Sequence, residues 1–234
     1  MAILLGETFP DFSAITSDGE IKSFHAWMGK SWAILFSHPR DFTPVCTTEL
    51  GQAALLSRDF QSRNVKLMAL SCDSAESHRK WISDIVAYCK MTSGGCEGCA
   101  DLSADSFPFP IIADEKRKLA QLLGMIDPDE KDEEGNVLTA RTAFIIGPDK
   151  KLKLSMLYPA TTGRNFSEIL RVIDSLQLTS VNPVATPVNW KPGDECMVIP
   201  TLSEAEAGKK FGGNVRTAEL PSKKRYMRYV SLPH

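Results

Sequence analysis

The sequence predicts an α/β fold in which helices flank a mixed central sheet, followed by a smaller C-terminal extension. Two short apolar runs, residues 32–36 and 65–71, are typical of strands buried on both faces, and each precedes a segment of helical character. Two further apolar runs, 142–146 and 152–157, are joined by Gly147-Pro-Asp-Lys and predict an antiparallel hairpin. Strands that alternate with helices indicate a parallel arrangement, and the closing hairpin makes the sheet mixed.

Capping, proline and glycine signals set the boundaries of these elements. Thr43 is a residue type that caps helices, and Pro44 suits the first helical position, where an N–H would have no partner. Gly124 marks the end of another helix. In chain order we expect a hairpin within residues 3–29, a helical turn at 24–28, a strand at 32–36, a helix from 44 to 62, a strand at 65–71, a helix at 74–88, a strand at 109–112, a helix at 115–123, the strand pair, and a helix at 166–176.

The character of the sequence changes after about residue 178. Six prolines interrupt the remaining segment, and little periodic structure is expected there. We therefore predict an α/β domain of residues 1–178 and a C-terminal extension of residues 179–234, which packs on the core or on a partner subunit. The acidic run 127–134 is predicted to be a solvated loop, and the basic run 223–225 a solvated patch.

Composition excludes several classes of protein. Hydrophobic residues make up 43% of the chain and charged residues 24%, and a formal net charge of -2 gives no support for a nucleic acid or a strongly anionic membrane as partner. No apolar run approaches the length of a transmembrane segment, and the N-terminus lacks the pattern of a secretory signal. Six irregularly spaced cysteines in 234 residues do not indicate a secreted disulfide scaffold, so we expect a reducing compartment, the cytoplasm.

The stretch from His38 to Glu49 combines the end of a buried strand, the start of a helix and a reactive side chain. Counting from Thr43 as the cap places Cys46 at the third helical position. Unpaired N–H groups and the positive end of the helix dipole favour an anion there. A cysteine has an ordinary pKa of about 8.5, and a helix N-terminus lowers a thiol pKa toward neutrality. The position predicts that Cys46 is a nucleophile.

The pattern Pro39-x-x-x-Thr43-x-x-Cys46 resembles the active-site signature of the peroxiredoxins, and residues 38–49 resemble their 1-Cys, sixth subfamily. The likeness continues in order along nearly the whole chain, in the segments Arg141-Thr-Ala-Phe-Ile-Ile-Gly-Pro-Asp-Lys-Lys, Leu157-Tyr-Pro-Ala-Thr-Thr-Gly-Arg-Asn, Pro187-Val-Asn-Trp-Lys-Pro-Gly-Asp and Lys224-Arg-Tyr-Met-Arg-Tyr. This resemblance implies a thioredoxin-like fold, a homodimer, and a thiol-dependent peroxidase that reduces hydrogen peroxide and organic hydroperoxides, including those of phospholipids.

Peroxide reduction requires a thiolate that attacks one oxygen while the other leaves with developing negative charge. Cys46 is the predicted nucleophile, and it becomes a sulfenic acid after the attack. Thr43 is placed to hydrogen-bond the incoming oxygen as well as to cap the helix. Pro44 is expected to shield the thiolate from water as well as to start the helix.

The resemblance assigns three further residues. Arg141, at the start of a strand, matches the family's catalytic arginine, a fixed cation paired with thiolate and peroxide. Glu49 is expected, by the same comparison, to orient an arginine. His38, eight residues before Cys46, is expected to neighbour the substrate pocket or the thiolate rather than to act as a general base.

The sequence favours a cycle with one catalytic cysteine. In two-cysteine relatives a resolving cysteine precedes a Pro-x-x-Trp-like segment near the C-terminus, and here Thr186 holds that position. We therefore expect an external thiol, glutathione or a thiol-transfer protein, to reduce the sulfenic acid, with no prosthetic cofactor and no metal. Cys196 lies nearby in sequence and is expected to be a buried packing residue.

One segment, at about residues 89–106, interrupts the resemblance. It is a glycine-rich insert that begins Cys89-Lys-Met-Thr-Ser-Gly-Gly-Cys96-Glu-Gly-Cys99. Three interpretations are open. The insert is a solvated loop with incidental cysteines; or it binds zinc together with Cys89 or His78, although a second ligand pair is missing; or Cys96 or Cys99 resolves Cys46 in a two-cysteine-like cycle.

Two other classes of function are alternatives. The subfamily is also associated with a calcium-independent phospholipase A2 activity, and the matching residues are Ser31, His25 and Asp149. The segment Gly29-Lys-Ser31-Trp-Ala33 lacks the second glycine of a Gly-x-Ser-x-Gly motif, and Ser31 precedes a strand instead of following one, so we predict weak or no lipase activity. The third hypothesis is a non-enzymatic redox-signalling or chaperone-like binder, which would not need Cys46.

Overall fold

The chain folds into two compact units, Met1–Phe166 and Ser167–His234. The structure is a computed structural model, and it describes residues 3–92 and 102–232. The strands of the first unit are β1 (Ala14–Thr16), β2 (Gly19–Ile21), β3 (Trp32–Ser37), β4 (Val65–Ser71), β5 (Ile111–Ala113), β6 (Ile126–Lys131), β7 (Val137–Thr139), β8 (Arg141–Ile146) and β9 (Leu152–Tyr158). Its helices are α1 (Phe24–Met28), α2 (Pro44–Leu55), α3 (Ser57–Ser62), α4 (Ala75–Thr92) and α5 (Lys118–Leu122), with a 3₁₀ turn at Ala104–Ser106.

Seven of these strands form the central sheet, in the order β2-β1-β5-β4-β3-β8-β9. The β3–β4 and β4–β5 pairs are parallel, whereas β1–β2, β1–β5, β3–β8 and β8–β9 are antiparallel. The sheet is therefore mixed, and the predicted thioredoxin-like α/β class is confirmed. All six residues of β3 are buried, which explains why its sequence is almost continuously apolar.

Aromatic packing fixes the N-terminal segment against one face of this core. Phe9, Phe24 and Phe144 are buried, and the ring of Phe9 lies 5.7 Å from that of Phe24 and 5.5 Å from that of Phe144. Helix α1, which the sequence predicts at residues 24–28, begins at Phe24 and is capped by the Ser23 side chain, which accepts a hydrogen bond from the Ala26 N–H. The predicted helix of residues 44–62 is two helices, because the backbone leaves helical geometry at Leu56 (φ -89°, ψ 7°).

The acidic run 127–134, which the sequence predicts to be a solvated loop, is largely a strand. Residues Ile126–Lys131 form β6 and pair with β7 in a separate two-stranded sheet. None of the six residues of this strand is fully buried, so the run lacks the apolar alternation that signals a strand. The Asp132 carboxylate closes the turn by accepting hydrogen bonds from the backbone N–H groups of Glu134 and Asn136.

The second unit has a small antiparallel sheet of its own. Its elements are α6 (Phe166–Val181, which begins at the last residue of the first unit), β10 (Val184–Ala185), β11 (Cys196–Val198), α7 (Glu204–Lys210), β12 (Val215–Thr217) and β13 (Arg228–Val230), with the sheet order β10-β11-β13-β12. Strands of two or three residues are too short to show a period, so no sequence pattern predicts them. The boundary predicted at residue 178 falls within α6, and the domain limits 1–178 and 179–234 stay a prediction.

Trp190 and Cys196 are buried in the core of the second unit, with Val184 and Val198. Cys196 is therefore the packing residue that the sequence predicts.

Across residues 3–92 and 102–232, none of the helices has the length and apolar character needed to cross a membrane.

Candidate active site

The candidate active site lies where β3 ends and α2 begins. The connection, residues 38–43, is called the active-site turn below. Thr43 is the cap residue of α2 and Pro44 its first residue, so Cys46 occupies the third helical position, as predicted. Its side chain is fully buried. The Thr43 hydroxyl makes no capping bond; it donates instead to the Arg40 carbonyl at 2.8 Å, which closes the turn.

Arg141 reaches the sulfur of Cys46 from the neighbouring strand. Phe36 pairs with Ala143 in the antiparallel β3–β8 ladder, so Arg141 lies beyond the last paired residue of β3, at the end where the chain turns toward α2. Its Nη1 donates to Cys46 Sγ at 3.3 Å. Its Nε and Nη2 both donate to the Ala160 carbonyl, at 2.8 and 2.6 Å. The guanidinium is thus held in one orientation before any substrate arrives.

Glu49 lies one helical turn after Cys46 and completes the fixation of Arg141. Its Oε2 accepts from Arg141 Nη1 at 2.7 Å, and both side chains are 3% exposed. Burial alone would raise the pKa of Glu49, but the charge of Arg164 and its hydrogen bonds, together with the charge of Arg141, lower that pKa below its ordinary value. Glu49 is therefore an ionised carboxylate that orients an arginine, as the sequence comparison suggests.

Arg164 belongs to this cluster, although the sequence analysis did not identify it. Its backbone N–H, Nε and Nη2 all donate to the Glu49 carboxylate, and its Nη1 donates to the Thr142 carbonyl. The guanidinium also lies over the ring of Phe36, 5.2 Å from its centroid. Only its place in the segment 157–165, already noted for the resemblance, could have drawn attention to it.

The charges of this cluster do not cancel. Arg141 and Arg164 contribute two positive charges, and Glu49 contributes one negative charge, all of them buried. A thiolate at Cys46, in contact with Arg141, would balance the remaining positive charge. The arrangement suits the stabilisation of an anionic sulfur and of negative charge that develops next to it during a reaction.

His38 hydrogen-bonds to Asp41 and not to Cys46. Its Nε2 lies 2.9 Å from Asp41 Oδ1, and its ring packs 5.1 Å from the ring of Trp81. The other oxygen of Asp41 lies 2.7 Å from Nδ1 of His78, on α4. His38 is fully buried at the end of β3, so it borders the active-site turn, but its ring nitrogens make no hydrogen bond to the reactive sulfur.

His38, Asp41 and Asp73 form the one group within residues 3–92 and 102–232 whose ligand atoms lie close enough together, within 4.8 Å, to suit a metal ion. Those atoms already have protein partners. Asp41 Oδ1 faces His38 Nε2, and Asp73 Oδ2 accepts from the Ser71 hydroxyl and the Asp41 N–H. The group is best described as a hydrogen-bonded cluster.

The three residues predicted for a lipase site have separate partners. The Ser31 hydroxyl donates to Asn64 Oδ1 at 2.7 Å, and His25 Nε2 lies 2.7 Å from the Phe9 carbonyl. Asp149 pairs with Lys153 at 2.6 Å. No hydrogen bond joins any two of Ser31, His25 and Asp149, so the structure does not assemble the nucleophile–base–acid relay that such a site requires.

Of the cysteines named in the three interpretations of the insert, Cys96 and Cys99 lie outside the described residues. Cys89 is buried on α4, and its thiol donates to the Gly51 carbonyl at 3.4 Å. His78, the other candidate zinc ligand, has both ring nitrogens engaged, with Asp41 and with the Ile112 carbonyl. Neither of these two side chains is therefore oriented toward a metal ligand set.

Comparisons with known proteins agree along the whole chain. Residues 5–155 match the AhpC/TSA family, and residues 175–214 match the C-terminal domain of 1-Cys peroxiredoxin. A 1-Cys peroxiredoxin of Dirofilaria immitis is 65% identical, with 99% of this chain and 98% of the relative covered. Peroxiredoxin-6 of Rattus norvegicus is 61% identical, with 99% and 98% covered.

Solved structures give the same result. The structure of a cysteine-to-serine mutant of peroxiredoxin 6 from Arenicola marina superposes with a TM-score of 0.91 at 55% identity, with 99% of each chain covered. A yeast mitochondrial 1-Cys peroxiredoxin, studied for its thiol resolving mechanism via the glutathione/thioredoxin systems, superposes with a TM-score of 0.82 at 42% identity, with 98% of this chain and 100% of that chain covered.

Proposed function

The chain belongs to the AhpC/TSA family, in its 1-Cys peroxiredoxin branch, and from that membership we propose how its residues reduce a peroxide. It is a thiol-dependent peroxidase, and the proposed nucleophile is Cys46. The observation that carries this assignment is the 3.3 Å contact between Cys46 Sγ and Arg141 Nη1, made by a guanidinium that Ala160 and Glu49 hold in place. A cysteine at a helix start and a fixed cation are what the reaction needs.

In the first half of the cycle, the Cys46 thiolate attacks one oxygen of the peroxide. The S–O bond forms as the O–O bond breaks, and the leaving oxygen, as hydroxide or alkoxide, takes a proton from water. Cys46 is oxidised to a sulfenic acid, and the peroxide is reduced to water or an alcohol. Arg141 stabilises the negative charge that moves from sulfur to the leaving oxygen. The Thr43 hydroxyl, which donates to Arg40, has lone pairs to accept a hydrogen bond from the peroxide O–H.

Glu49 and Arg164 act through Arg141. Glu49 holds the guanidinium by one hydrogen bond, and Arg164 holds Glu49 by three. A 1 Å displacement of a catalytic group can reduce a rate about 100-fold, so the reaction rate depends on the fixed position of the Arg141 guanidinium. Pro44 is exposed at the first position of α2, where it presents no N–H to solvent, and its proposed role is to shield the thiolate from water.

In the second half of the cycle, an external thiol reduces the sulfenic acid. Two molecules of a thiol such as glutathione return Cys46 to the thiol, form one disulfide and release water. Thr186 stands where two-cysteine relatives carry a resolving cysteine, which supports a 1-Cys cycle, and the yeast relative is linked to glutathione and thioredoxin systems. A cycle that depends on a thiol pool fits a reducing compartment such as the cytosol.

The proposed substrates are hydrogen peroxide and organic hydroperoxides, and the proposed assembly is a homodimer. Strand β9 lies at an edge of the seven-stranded sheet. Its first residue, Leu152, bonds through its backbone to Gly6 and Glu7, and beyond that residue no further strand among the described residues pairs with this edge. Leu157 on this strand is 70% exposed. An apolar side chain on an exposed edge strand is a feature that a second copy of the chain would cover.

Hydroperoxide consumption by the purified protein, with glutathione or dithiothreitol supplied, tests this function. We expect the wild type to be active and Cys46→Ser to be inactive. Cys72→Ser is the matched control: Cys72 is a half-buried thiol whose pKa is raised to about 11, mainly by burial. Activity that survives in Cys46→Ser, or disappears in Cys72→Ser, would contradict the assignment.

A further inference from the structure

The active-site turn contains a carboxylate with three side-chain partners. Asp41 Oδ1 faces His38 Nε2 at 2.9 Å, and Asp41 Oδ2 faces His78 Nδ1 and the Ser77 hydroxyl, each at 2.7 Å. His38 and His78 are fully buried, and Asp41 is 3% exposed. The reaction scheme above uses none of these groups. Buried charge is costly unless paired, so this cluster needs an explanation.

The partners of His78 indicate its protonation state. Its Nδ1 faces the Asp41 carboxylate, and its Nε2 lies 3.1 Å from the Ile112 carbonyl. A carbonyl oxygen and an ionised carboxylate can only accept hydrogen bonds. Both ring nitrogens must then carry hydrogens, which makes His78 an imidazolium. Burial alone would raise the pKa of Asp41, but the hydrogen bonds from His38 and His78 lower it below its ordinary value, which agrees with an ionised carboxylate.

The hydrogen-bond partners of His38 indicate a different protonation state from that of His78. Its Nε2 must donate to Asp41, while its Nδ1 has no hydrogen-bond partner among the described residues. A protonated Nδ1 would leave a buried N–H donor unsatisfied, so the neutral tautomer with hydrogen on Nε2 fits the site. The cluster thus holds one cation, His78, one anion, Asp41, and one neutral imidazole with a defined tautomer.

We propose that His78 is a positioning residue for peroxide reduction: as a buried imidazolium it holds the Asp41 carboxylate, and Asp41 in turn fixes the active-site turn and the tautomer of His38. This inference rests on the proposed role of Cys46. His78 does not contact the reacting atoms. It acts through the short segment that carries Thr43 and leads into the Cys46 helix.

The turn needs such an anchor because its backbone is strained. Phe42 has a φ of 53°, in the left-handed region that a bulky side chain rarely adopts, and the residue is 56% exposed. Strain of this kind persists only where neighbouring contacts determine the conformation. Asp41 supplies those contacts on one side of Phe42, and the Thr43–Arg40 hydrogen bond supplies them on the other.

Helix α4 contacts the active-site turn through a second side chain, that of Trp81. Trp81, one turn after His78, packs against the rings of His38 and Phe42 at 5.1 and 6.3 Å. Its Nε1 donates to the hydroxyl of Thr47, the residue after Cys46. His78 and Trp81 therefore hold both ends of the segment that presents the nucleophile.

The charges around the cluster give the proposal a measurable consequence. Asp73 accepts a hydrogen bond from the Asp41 N–H, and Arg141, Glu49 and Arg164 lie on the Cys46 side. Replacement of His78 by Asn removes a positive charge and leaves Asp41 unbalanced. The surroundings of Cys46 become more negative, which disfavours the thiolate. A further change of Asp41 to Asn removes that excess charge.

The test compares three variants in two assays, the second-order rate constant for hydrogen peroxide and the pH profile of Cys46 alkylation by iodoacetamide, followed by peptide mass spectrometry. In His78→Asn we expect the rate constant to fall roughly 10- to 100-fold and the alkylation profile to move to higher pH. In Asp41→Asn/His78→Asn we expect the alkylation profile to return toward that of the wild type. Lys80→Gln also removes one positive charge from α4, but at a side chain that is 69% exposed, and we expect it to match the wild type in both assays.

A folded His78→Asn variant with the wild-type rate and profile would overturn the proposal, as would a double variant whose profile stays shifted. Long-range ¹H–¹⁵N spectra of the wild type give an independent test, which needs neither a variant nor peroxidase activity. The chain has four histidines, so their imidazoles can be assigned individually. From their hydrogen-bond partners we expect both nitrogens of His78 to carry hydrogens and His38 to carry hydrogen on Nε2 alone. A bare nitrogen on His78 would refute the imidazolium assignment.

Discussion

Arg164 donates three hydrogen bonds to the carboxylate of Glu49, at 2.7, 2.8 and 2.9 Å. This buried pair holds Arg141 in place, because Glu49 also accepts a hydrogen bond from the Arg141 guanidinium. Glu49 lies one turn after Cys46 on the same helix, so the helix that carries the nucleophile also carries the group that orients its counter-ion. The proposed chemistry depends on this geometry, and the predictions below follow from it.

Replacement of Arg141 by Lys should reduce the second-order rate constant for peroxide roughly 100-fold. A lysine keeps the charge, but it cannot donate to Ala160, Glu49 and Cys46 in one fixed plane. Stopped-flow measurement with hydrogen peroxide checks this result. Lys153→Arg, at a partly exposed ion pair with Asp149, is a control for a basic substitution in the same unit. A lysine variant with nearly full activity would show that charge alone suffices.

Replacement of Glu49 by Gln should destabilise the protein as well as slow it. Two buried guanidinium groups would lose their shared carboxylate, and the removal of one partner from a buried ion pair costs about 3–5 kcal/mol. Chemical denaturation at pH 7 gives the free energy of unfolding. Glu76→Gln, whose ion pair with Lys80 lies on the surface, should leave that free energy unchanged. Equal stability of the two variants would contradict the central place of Glu49.

Glu49 also predicts how stability depends on pH. Its pKa in the folded protein is lowered, so its contribution to stability is present above the ordinary carboxyl value of 4.5 and is lost as the pH falls toward the folded value. The free energy of unfolding of the wild type should therefore decrease as the pH falls below about 4.5. The Glu49→Gln variant should show a shallower decrease over the same range. If the free energy of unfolding depended on pH in the same way in both proteins, groups other than Glu49 would be responsible for the loss of stability in acid.

Cys72 should be far less reactive than Cys46 at neutral pH. Burial raises its pKa to about 11, and the nearby Asp114 and Asp73 add to that rise, so the thiolate is scarce at pH 7. Brief treatment with iodoacetamide followed by peptide mass spectrometry measures both sites in one sample. We expect modification of Cys46 well before Cys72. Comparable labelling of the two thiols would contradict the predicted difference in their reactivity.

The sequence predicts the first unit well because its signals are local. Buried strands β3 and β4 are continuous apolar runs, and the Thr43-Pro44 pair marks the start of α2. The acidic strand β6 was missed because none of its residues is fully buried, so its sequence shows no apolar alternation. The strands of the second unit were missed because they contain only two or three residues.

The site could be predicted only as far as its residues share a motif or lie in segments that resemble the family. Cys46 and Thr43 are three positions apart, whereas Arg164 meets Glu49 across 115 residues. Sequence spacing carries no signal for such a contact. The same is true of His78, whose link to Asp41 spans 37 residues and depends on the packing of α4 beside the active-site turn.

The most direct test of the central claim is to locate the oxidised cysteine after a single turnover. Reduced protein is treated with one equivalent of hydrogen peroxide, the sulfenic acid is trapped with dimedone, and the adduct is mapped by peptide mass spectrometry. The account predicts one adduct, on Cys46, that is absent when glutathione is present in excess. An adduct on another cysteine, or a disulfide between Cys46 and Cys96 or Cys99 in place of the adduct, would contradict a 1-Cys cycle at Cys46.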